Sequence, residues 1–553
     1  MRHHLRRHAA LLVVILAGCA VLLWKLDARY LWQDEAAAAV MGERMMRYGK
    51  PLGYDGRNLI TMDYLLSEEM RAVVERTRGA DRAIRFYVER GDFREDTAWI
   101  GQPWGQFLLA GLSLRLLGHG TLQARLPFAL AGVLTVVLLH RLVRRRFGDP
   151  TMAAIAVGLL LANVFWVLHA RQCRYYAGAS LFLLATVIAY LRWSGGARFG
   201  AASFVAAGWC LFQFDFGTFW PVLGVLGADA LLFRRRSLRA TAIALGGALL
   251  AVAPWAFYYE LWGRLKVTSV PGRVRLIVTL FNVNQFELPL LFVPLIVWLA
   301  WRSKREERQL VGVSLAILIA LLVWVPIVAP HPYHRYVVAA TPLCTLLLAF
   351  AIVRGTALVM TRPGPPRTLV AVCLAGVLAV SPIASDAVSL WIRPSFLMPL
   401  HDPGRLLRGE LAPAWHELSG RAPDPNRTVI EFLRPLLHPE DEILVTYEDA
   451  PFMFYTEQRI RGGIPAFRVA DRRGEPPRFA VVRRSAVFLD WGAFRRELGF
   501  HRWQQLPVAA PDVPFGNSPD PSHRFFPRPR EFPDLMVLER ITEEQKPSPS
   551  DRG

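Results

Sequence analysis

The sequence predicts a mainly α fold: a polytopic membrane helical bundle over residues 1–391, then a small extracytoplasmic α/β domain over 392–553. Three observations carry this. The 553 residues are 53% hydrophobic, with a mean hydropathy of +0.27, too apolar for an ordinary soluble chain. Only 20% of residues are charged, yet the net charge is +20, so charge must be segregated from long apolar runs. Apolar runs near the ~20 residues that cross a bilayer recur from residue 9 to about residue 391. These features exclude a disordered basic chain and a coiled coil. With five Cys they also exclude a disulfide framework.

The runs fall at 9–26, 125–143, 152–169, 176–193, 199–214, 217–233, 239–257, 287–301, 310–329, 335–353 and 368–390. The short ones imply tilt or local thinning. Every second connection is basic. The basic sites are Arg2, Arg6 and Arg7; Arg141 and Arg144 to Arg146; Arg192 and Arg198; Arg234 to Arg236 and Arg239; Arg302, Lys304, Arg305 and Arg308; and Arg354, Arg362 and Arg367. The positive-inside rule makes this set cytoplasmic, with the N-terminus inside and residues 392–553 outside. Leu16 to Cys19 resembles a lipoprotein cleavage box, but Val21 to Trp24 continue the apolar run, so the segment reads as an uncleaved span. Arg greatly outnumbers Lys, which fits a GC-rich bacterial genome and a bacterial inner (plasma) membrane.

Two pieces lie outside the bilayer. In residues 27–124, Leu31–Tyr48 reads as a helix and 60–90 as a charged amphipathic stretch. Residues 103–118 read as an interfacial helix, because a span there would invert every later basic cluster. In 392–553, Ile443–Tyr447, Phe479–Val482, Ala486–Leu489 and Met536–Leu538 read as strands and 491–499 as a helix. Asn426-Arg427-Thr428 fits a glycosylation acceptor pattern that is also common by chance.

The sharpest chemical signal is Trp32-Gln33-Asp34-Glu35, just outside the first span. Adjacent carboxylates suit a solvated helix start, but at a membrane surface they are costly if desolvated. Three outer sites carry cations where the orientation rule depletes them: His169 to Tyr176, the loop 258–286, and Pro330 to Tyr336. Snorkelling explains any one of them. Together with the carboxylates they favour an anionic ligand, for which Arg offers bidentate phosphate contacts. Asp215 is a further outer carboxylate, read as structural or solvated.

The ordered series Leu31 to Ala36, Arg47 to Pro51, Gln102-Pro103-Trp104, Leu114 to Gly118, Arg125-Leu126-Pro127, Arg144 to Gly148, His169 to Tyr176, and Arg335-Tyr336 with Pro342 resembles GT-C membrane glycosyltransferases. The nearest group in character is that of the protein O-mannosyltransferases and the lipid A aminoarabinose transferases. The likeness covers roughly residues 1–350. It implies a GT-C-like fold, a polyprenyl-phosphate-linked sugar as donor, and a protein, lipid or glycan acceptor at the outer face. It implies Asp34 as catalytic carboxylate with Glu35 as partner. Donor-phosphate candidates are then Arg171, Arg174, Arg264, Lys266, His331, His334 and Arg335. Substrate-contact candidates are Trp32, Gln102, His169, Tyr175, Tyr258, Tyr259 and Tyr333. Some relatives carry Lys at the position of Gln102, or an acidic metal ligand in the turn matching 169–176. Here that turn has only His, Ala, Arg, Gln, Cys and Tyr, so no cofactor is assigned and a divalent metal has thin support.

A positioned carboxylate raises the nucleophilicity of an acceptor hydroxyl by ~10²–10⁴ in rate, and cations stabilise the departing phosphate. The competing reading is a transporter or flippase for a lipid-linked or anionic solute. It is disfavoured because most spans lack mid-span charge and the informative residues cluster at one surface. The basic excess reads as membrane orientation, with no nucleic-acid partner implied.

Overall fold

The structure, a computed structural model, describes residues 2–60, 80–233, 238–263, 272–329, 333–360, 364–392, 415, 417–420, 423–462, 477–483, 503–512 and 535–541. The helices in chain order are α1 (Arg2–Leu23), α2 (Gln33–Tyr48), α3 (Ala80–Glu89), α4 (Gly105–Leu117), α5 (Thr121–Phe147), α6 (Pro150–Ala162), α7 (Val164–Ala170) and α8 (Tyr176–Ser194). They continue with α9 (Gly200–Phe214), α10 (Phe216–Leu232), α11 (Leu238–Tyr258), α12 (Gly272–Phe286), α13 (Val293–Trp301), α14 (Arg305–Val328), α15 (Thr341–Val359), α16 (Pro365–Val380) and α17 (Ile383–Ile392).

Among the described residues five segments are long and apolar enough to cross a membrane alone: α5, α8, α11, α14 and Val338–Val359. Three more are bent pairs: α6 with α7 at 72°, α12 with Leu290–Trp301 at 81°, and α16 with α17 at 56°. The shorter apolar helices Ala9–Leu23, α9 and α10 complete the runs expected from the sequence. The bends have local causes. Pro289 and Pro382 each remove a backbone donor at a break. Asn163 ends α6 and caps α7, accepting from the Trp166 N–H at 2.9 Å. Its amide also donates to the Phe286 carbonyl at 2.8 Å, so two of the breaks meet.

One boundary is corrected. The run 287–301 is only the second limb of a bent pair, and its first limb, α12, takes residues 272–286 from the expected outer loop 258–286. Val274, Leu276, Ile277, Leu280 and Val283 supply the apolar content of that helix, and Arg275 is absorbed by donating to the Ala329 carbonyl at 3.1 Å.

Among the described residues, cations from two of the basic connections meet the start of α14. Arg146 pairs with Glu306 at 3.6 Å, and Arg354 grips Glu307 with bonds of 2.9 and 2.8 Å. The helix α4 lies against α2. An added Cβ at Gly42 would sit 2.7 Å from the Gly111 nitrogen, and one at Gly111 2.3 Å from the Gly42 carbonyl oxygen. Leu108, Leu112 and Leu116 of α4 remain exposed.

The C-terminal unit contains α18 (Pro425–Leu433), α19 (Asp449–Tyr455) and a five-stranded sheet. Its strands are β1 (Glu442–Val445), β2 (Arg459–Gly462), β3 (Phe479–Val482), β4 (Trp503–Gln505) and β5 (Met536–Arg540), in the order β2-β1-β3-β5-β4. β1 runs parallel to β2 and β3, while β5 is antiparallel to β3 and β4. The strands expected at 443–447, 479–482 and 536–538 are present. The strand expected at 486–489 and the helix at 491–499 lie outside the described residues. Asn426, the first residue of the glycosylation-like triplet, is buried and accepts from Arg483 Nη1 at 3.4 Å.

Gly111→Val should lower the thermal midpoint of the detergent-solubilised protein by several degrees, an overpacking cost of about 1–3 kcal/mol. Gly158→Ala, where an added Cβ meets nothing within 4 Å, should leave it unchanged or raised. Equal midpoints for the two variants would refute the close α2–α4 approach.

Candidate active site

Asp34 and Glu35 are neighbours in the first turn of α2, where consecutive side chains diverge by about 100°. Their environments are correspondingly different. Glu35 is fully buried and accepts from Arg125 Nε at 2.8 Å and Nη2 at 2.6 Å. It also accepts from the Cys173 N–H at 2.9 Å. The other donors of Arg125 reach the carbonyls of Leu26 and Arg29, both at 2.9 Å, and of Tyr30 at 3.2 Å. Breaking such a buried pair from one side costs about 3–5 kcal/mol. Glu35 is thus placed to hold the site together, and not beside Asp34 as its expected partner.

Asp34 is 19% exposed at its side chain. Its Oδ2 faces Arg335 Nη1 at 3.1 Å and Arg174 Nη2 at 3.3 Å. Among the described residues no hydrogen bond falls on Oδ1. Arg174 is braced by Gln102, whose Oε1 accepts from Arg174 Nη1 at 3.1 Å and from Gln106 Nε2 at 2.9 Å. The Arg335 guanidinium lies 4.5 Å from the ring centre of Tyr333 and 5.7 Å from that of Tyr336, and Arg174 lies 5.6 Å from that of Tyr175. Burial pushes the Tyr175 hydroxyl well above its usual value. The structure therefore brings together Asp34, Gln102, Arg174, Tyr175, Tyr333 and Arg335, and adds Tyr336.

Other expected site residues are elsewhere. Arg171 donates to the carbonyls of Val21, Leu22, Trp24 and Lys25, at 2.6 to 3.3 Å, and so closes the end of α1 instead of facing a phosphate. Burial pushes its guanidinium down to about 10. His334 is fully buried, with Nε2 2.6 Å from Glu287 Oε1, so it is not a free cation for a donor. His169 is buried too, with Nδ1 2.7 Å from the Phe165 carbonyl. Trp32 is buried at the start of α2. Tyr258 and Tyr259 pack around Trp104, and the Tyr259 hydroxyl joins the Trp104 N–H to Gln213 with two 3.1 Å bonds. Asp215 caps α10 through the Thr218 hydroxyl at 2.6 Å and its N–H at 3.2 Å. Arg264, Lys266 and His331 lie outside the described residues. No group of three His, Cys, Asp or Glu side chains suited to a metal is found among the described residues.

Sequence reasoning assigned no role to Arg125. The cost of one Arg at the head of an apolar span is the signal that marks it.

The family model described as dolichyl-phosphate-mannose-protein mannosyltransferase matches residues 102–259. No curated protein sequence matches the chain. ArnT from Cupriavidus metallidurans bound to undecaprenyl phosphate is 17% identical, with a TM-score of 0.54 over 98% of each chain. Its apo form is 16% identical, with a TM-score of 0.56 over 97% of this chain and 98% of that one. The chain has the GT-C glycosyltransferase fold. The matched segment runs from Gln102 through Arg125 and the turn at Arg174 to Tyr259, and so includes two of the polar groups around Asp34.

One contact that ties α2 to α19 is titratable. His119 Nδ1 lies 2.7 Å from Glu43 Oε1 on α2, and Nε2 lies 2.8 Å from the Phe454 carbonyl on α19. Both partners accept, so only the doubly protonated imidazole fills both bonds. The Glu43 hydrogen bond raises its pKa above the ordinary 6.5, against the effect of partial burial. The latch is complete below about pH 6.5 and weakens as pH rises through the raised value. Hydrogen exchange of the 449–455 peptide, corrected for intrinsic rates, should quicken across that rise. His119→Ala should flatten the dependence, and an unchanged profile in the variant would refute the latch.

Proposed function

We propose that this GT-C chain moves a sugar from a polyprenyl-phosphate donor to a hydroxyl or similar nucleophile on a protein, lipid or glycan acceptor. Asp34 acts as general base. The observation that carries the reading is the divided Asp34 carboxylate: Oδ2 is held by two guanidiniums while Oδ1 has no hydrogen bond among the described residues. A base needs one anchored oxygen for orientation and one open oxygen to take a proton.

In the transfer, the acceptor oxygen bonds to the anomeric carbon and its proton passes to Asp34 Oδ1. The anomeric carbon–phosphate oxygen bond breaks, and the electron pair leaves on the lipid phosphate. Attack opposite the leaving group inverts the anomeric centre. Arg174 and Arg335 are the cations nearest the developing phosphate charge, and their stabilisation strengthens in a site with little water. Both rest on Asp34. A donor phosphate would draw part of their interaction away and leave the carboxylate freer to accept a proton. That ArnT has been crystallised with undecaprenyl phosphate supports a lipid phosphate as the donor's carrier.

The outer-face assignment is supported by Arg146 and Arg354, which lie at the far end of α5 from Arg125 and meet the start of α14. A long lipid tail explains a site at the edge of the apolar helices. We place the protein in a bacterial inner membrane, with the C-terminal unit outside.

The test uses the full chain in liposomes with radiolabelled undecaprenyl-phosphate mannose and undecaprenyl-phosphate 4-aminoarabinose, each offered to native membranes as acceptor. Asp34→Asn should lower transfer by about a hundredfold or more while binding undecaprenyl phosphate normally. Arg335→Ala should weaken undecaprenyl phosphate binding roughly tenfold, the loss of one charge-assisted contact. Transfer at the wild-type rate by the Asp34→Asn enzyme would sink the base assignment.

A further inference from the structure

The C-terminal unit does more than cover the Asp34 end of the bundle. A group of its polar contacts falls on Tyr30, Leu31 and Gln33, just before Asp34. Asp424 Oδ2 accepts from the Tyr30 N–H at 2.7 Å. The Tyr455 hydroxyl accepts from the Leu31 N–H at 2.9 Å and bonds the Thr121 hydroxyl at 2.6 Å, and the Tyr455 ring stacks on Tyr30 at 3.8 Å. Gln33 uses both ends of its amide. Nε2 donates to Asp449 Oδ1 at 2.7 Å, and Oε1 accepts from the Ala450 N–H at 3.0 Å. That N–H is one of the orphan donors in the first turn of α19, so Gln33 caps a helix of another part of the chain.

The seat under Asp449 is rigid. Glu448, the preceding residue, sits at φ +60, a left-handed conformation that a non-glycine residue keeps only where its surroundings enforce it. The enforcement is visible. Arg483 is buried and pairs with Glu448 at 2.6 Å and with Asp512 at 2.7 Å. On the other side Gly462 leaves room, since an added Cβ there would come within 2.1 Å of Asp449 Oδ2.

We infer that the C-terminal α/β unit is a positioning element for the transfer reaction: through Gln33 and Tyr455 it fixes the direction of the Asp34 carboxylate. The inference rests on the base reading above. Asp34 lies between two clamps, Gln33 on the C-terminal unit and Glu35 on Arg125. Neither clamp touches the reacting atoms, so both act through geometry. Misplacement of a reacting group by about 1 Å costs roughly a hundredfold in rate, which is the scale at stake.

The test compares full-length variants in liposomes with the same two radiolabelled donors and with undecaprenyl phosphate as binding probe. Gln33→Ala and Tyr455→Phe should lower kcat about ten- to hundredfold, with KM and undecaprenyl phosphate affinity within about twofold. Asp449→Asn, which keeps an acceptor for the Gln33 amide, should stay within about threefold of wild type. Arg478→Ala removes pairs to Asp441 and Glu539 in the sheet, so it should lower the thermal midpoint without slowing turnover. Hydrogen exchange of residues 30–36 should quicken in Gln33→Ala, a readout that holds even if neither donor is turned over. Full turnover by Gln33→Ala beside an inactive Asp34→Asn would overturn the positioning role alone, as would unchanged exchange at 30–36. Full turnover by Asp34→Asn would overturn the base reading on which it stands.

Discussion

The buried pair of Glu35 and Arg125 is the interaction on which the Asp34 end of the bundle depends. Two charges withdrawn from water carry a desolvation penalty of several kcal/mol each, so the pair is tolerable only if its remaining hydrogen-bond capacity is filled. It is filled. The five N–H donors of Arg125 meet two carboxylate oxygens and three carbonyls, and Glu35 takes the Cys173 amide as well. Three stretches far apart in the chain are thereby joined: the connection from α1 into α2, the start of α5 and the turn after α7. No apolar contact could specify their mutual angles as narrowly.

The pair also explains why the two adjacent carboxylates do different work. Glu35 is consumed by structure, which leaves Asp34 as the carboxylate with an accessible edge. The arginines divide in the same way. Arg171 is spent on the carbonyls at the end of α1 and Arg125 on Glu35, whereas Arg174 and Arg335 share a carboxylate that is still partly open. A cation satisfied by neutral carbonyls is fixed in place. A cation resting on an accessible carboxylate can exchange it for an incoming anion. The sites expected from charge alone could not separate these two kinds of arginine.

Much of the architecture was legible because its causes are local. Membrane-length apolar runs and alternating basic connections mark the bundle, and the Gly-terminated segment at 103–118, set apart from the spans by charge alternation, contains a short apolar helix, α4. The strands at 479–482 and 536–540 follow from short β-branched apolar runs. What escaped is non-local or too short. β2 is Arg-Ile-Arg-Gly and β4 is Trp-Gln-Gln, neither with an apolar pattern long enough to signal a strand. The burial of His334 depends on Glu287, which is forty-seven residues away, and the role of Gln33 depends on Asp449 across the whole bundle. Asp34 and its two guanidiniums were legible as types at one membrane face, but which arginines would reach it was a question of packing.

The broken helices supply the last link between bundle and site. Irregular backbone at membrane depth survives only where protein buries it and satisfies its polar groups. Here two of the three breaks are satisfied in a way that delivers a site residue. The break at Asn163 turns α7 by 72° from α6, and α7 ends directly in the turn that carries Arg174. The break after α12 is tied to the first through the Asn163 amide and the Phe286 carbonyl. It also leaves Glu287 free of helix geometry, so that its carboxylate can hold His334, the residue before Arg335. A continuous helix through either point would move its guanidinium away from Asp34. The bends are therefore the means by which two different spans aim their cations at one carboxylate, and their polar locks are part of the site's geometry as much as the ion pairs themselves.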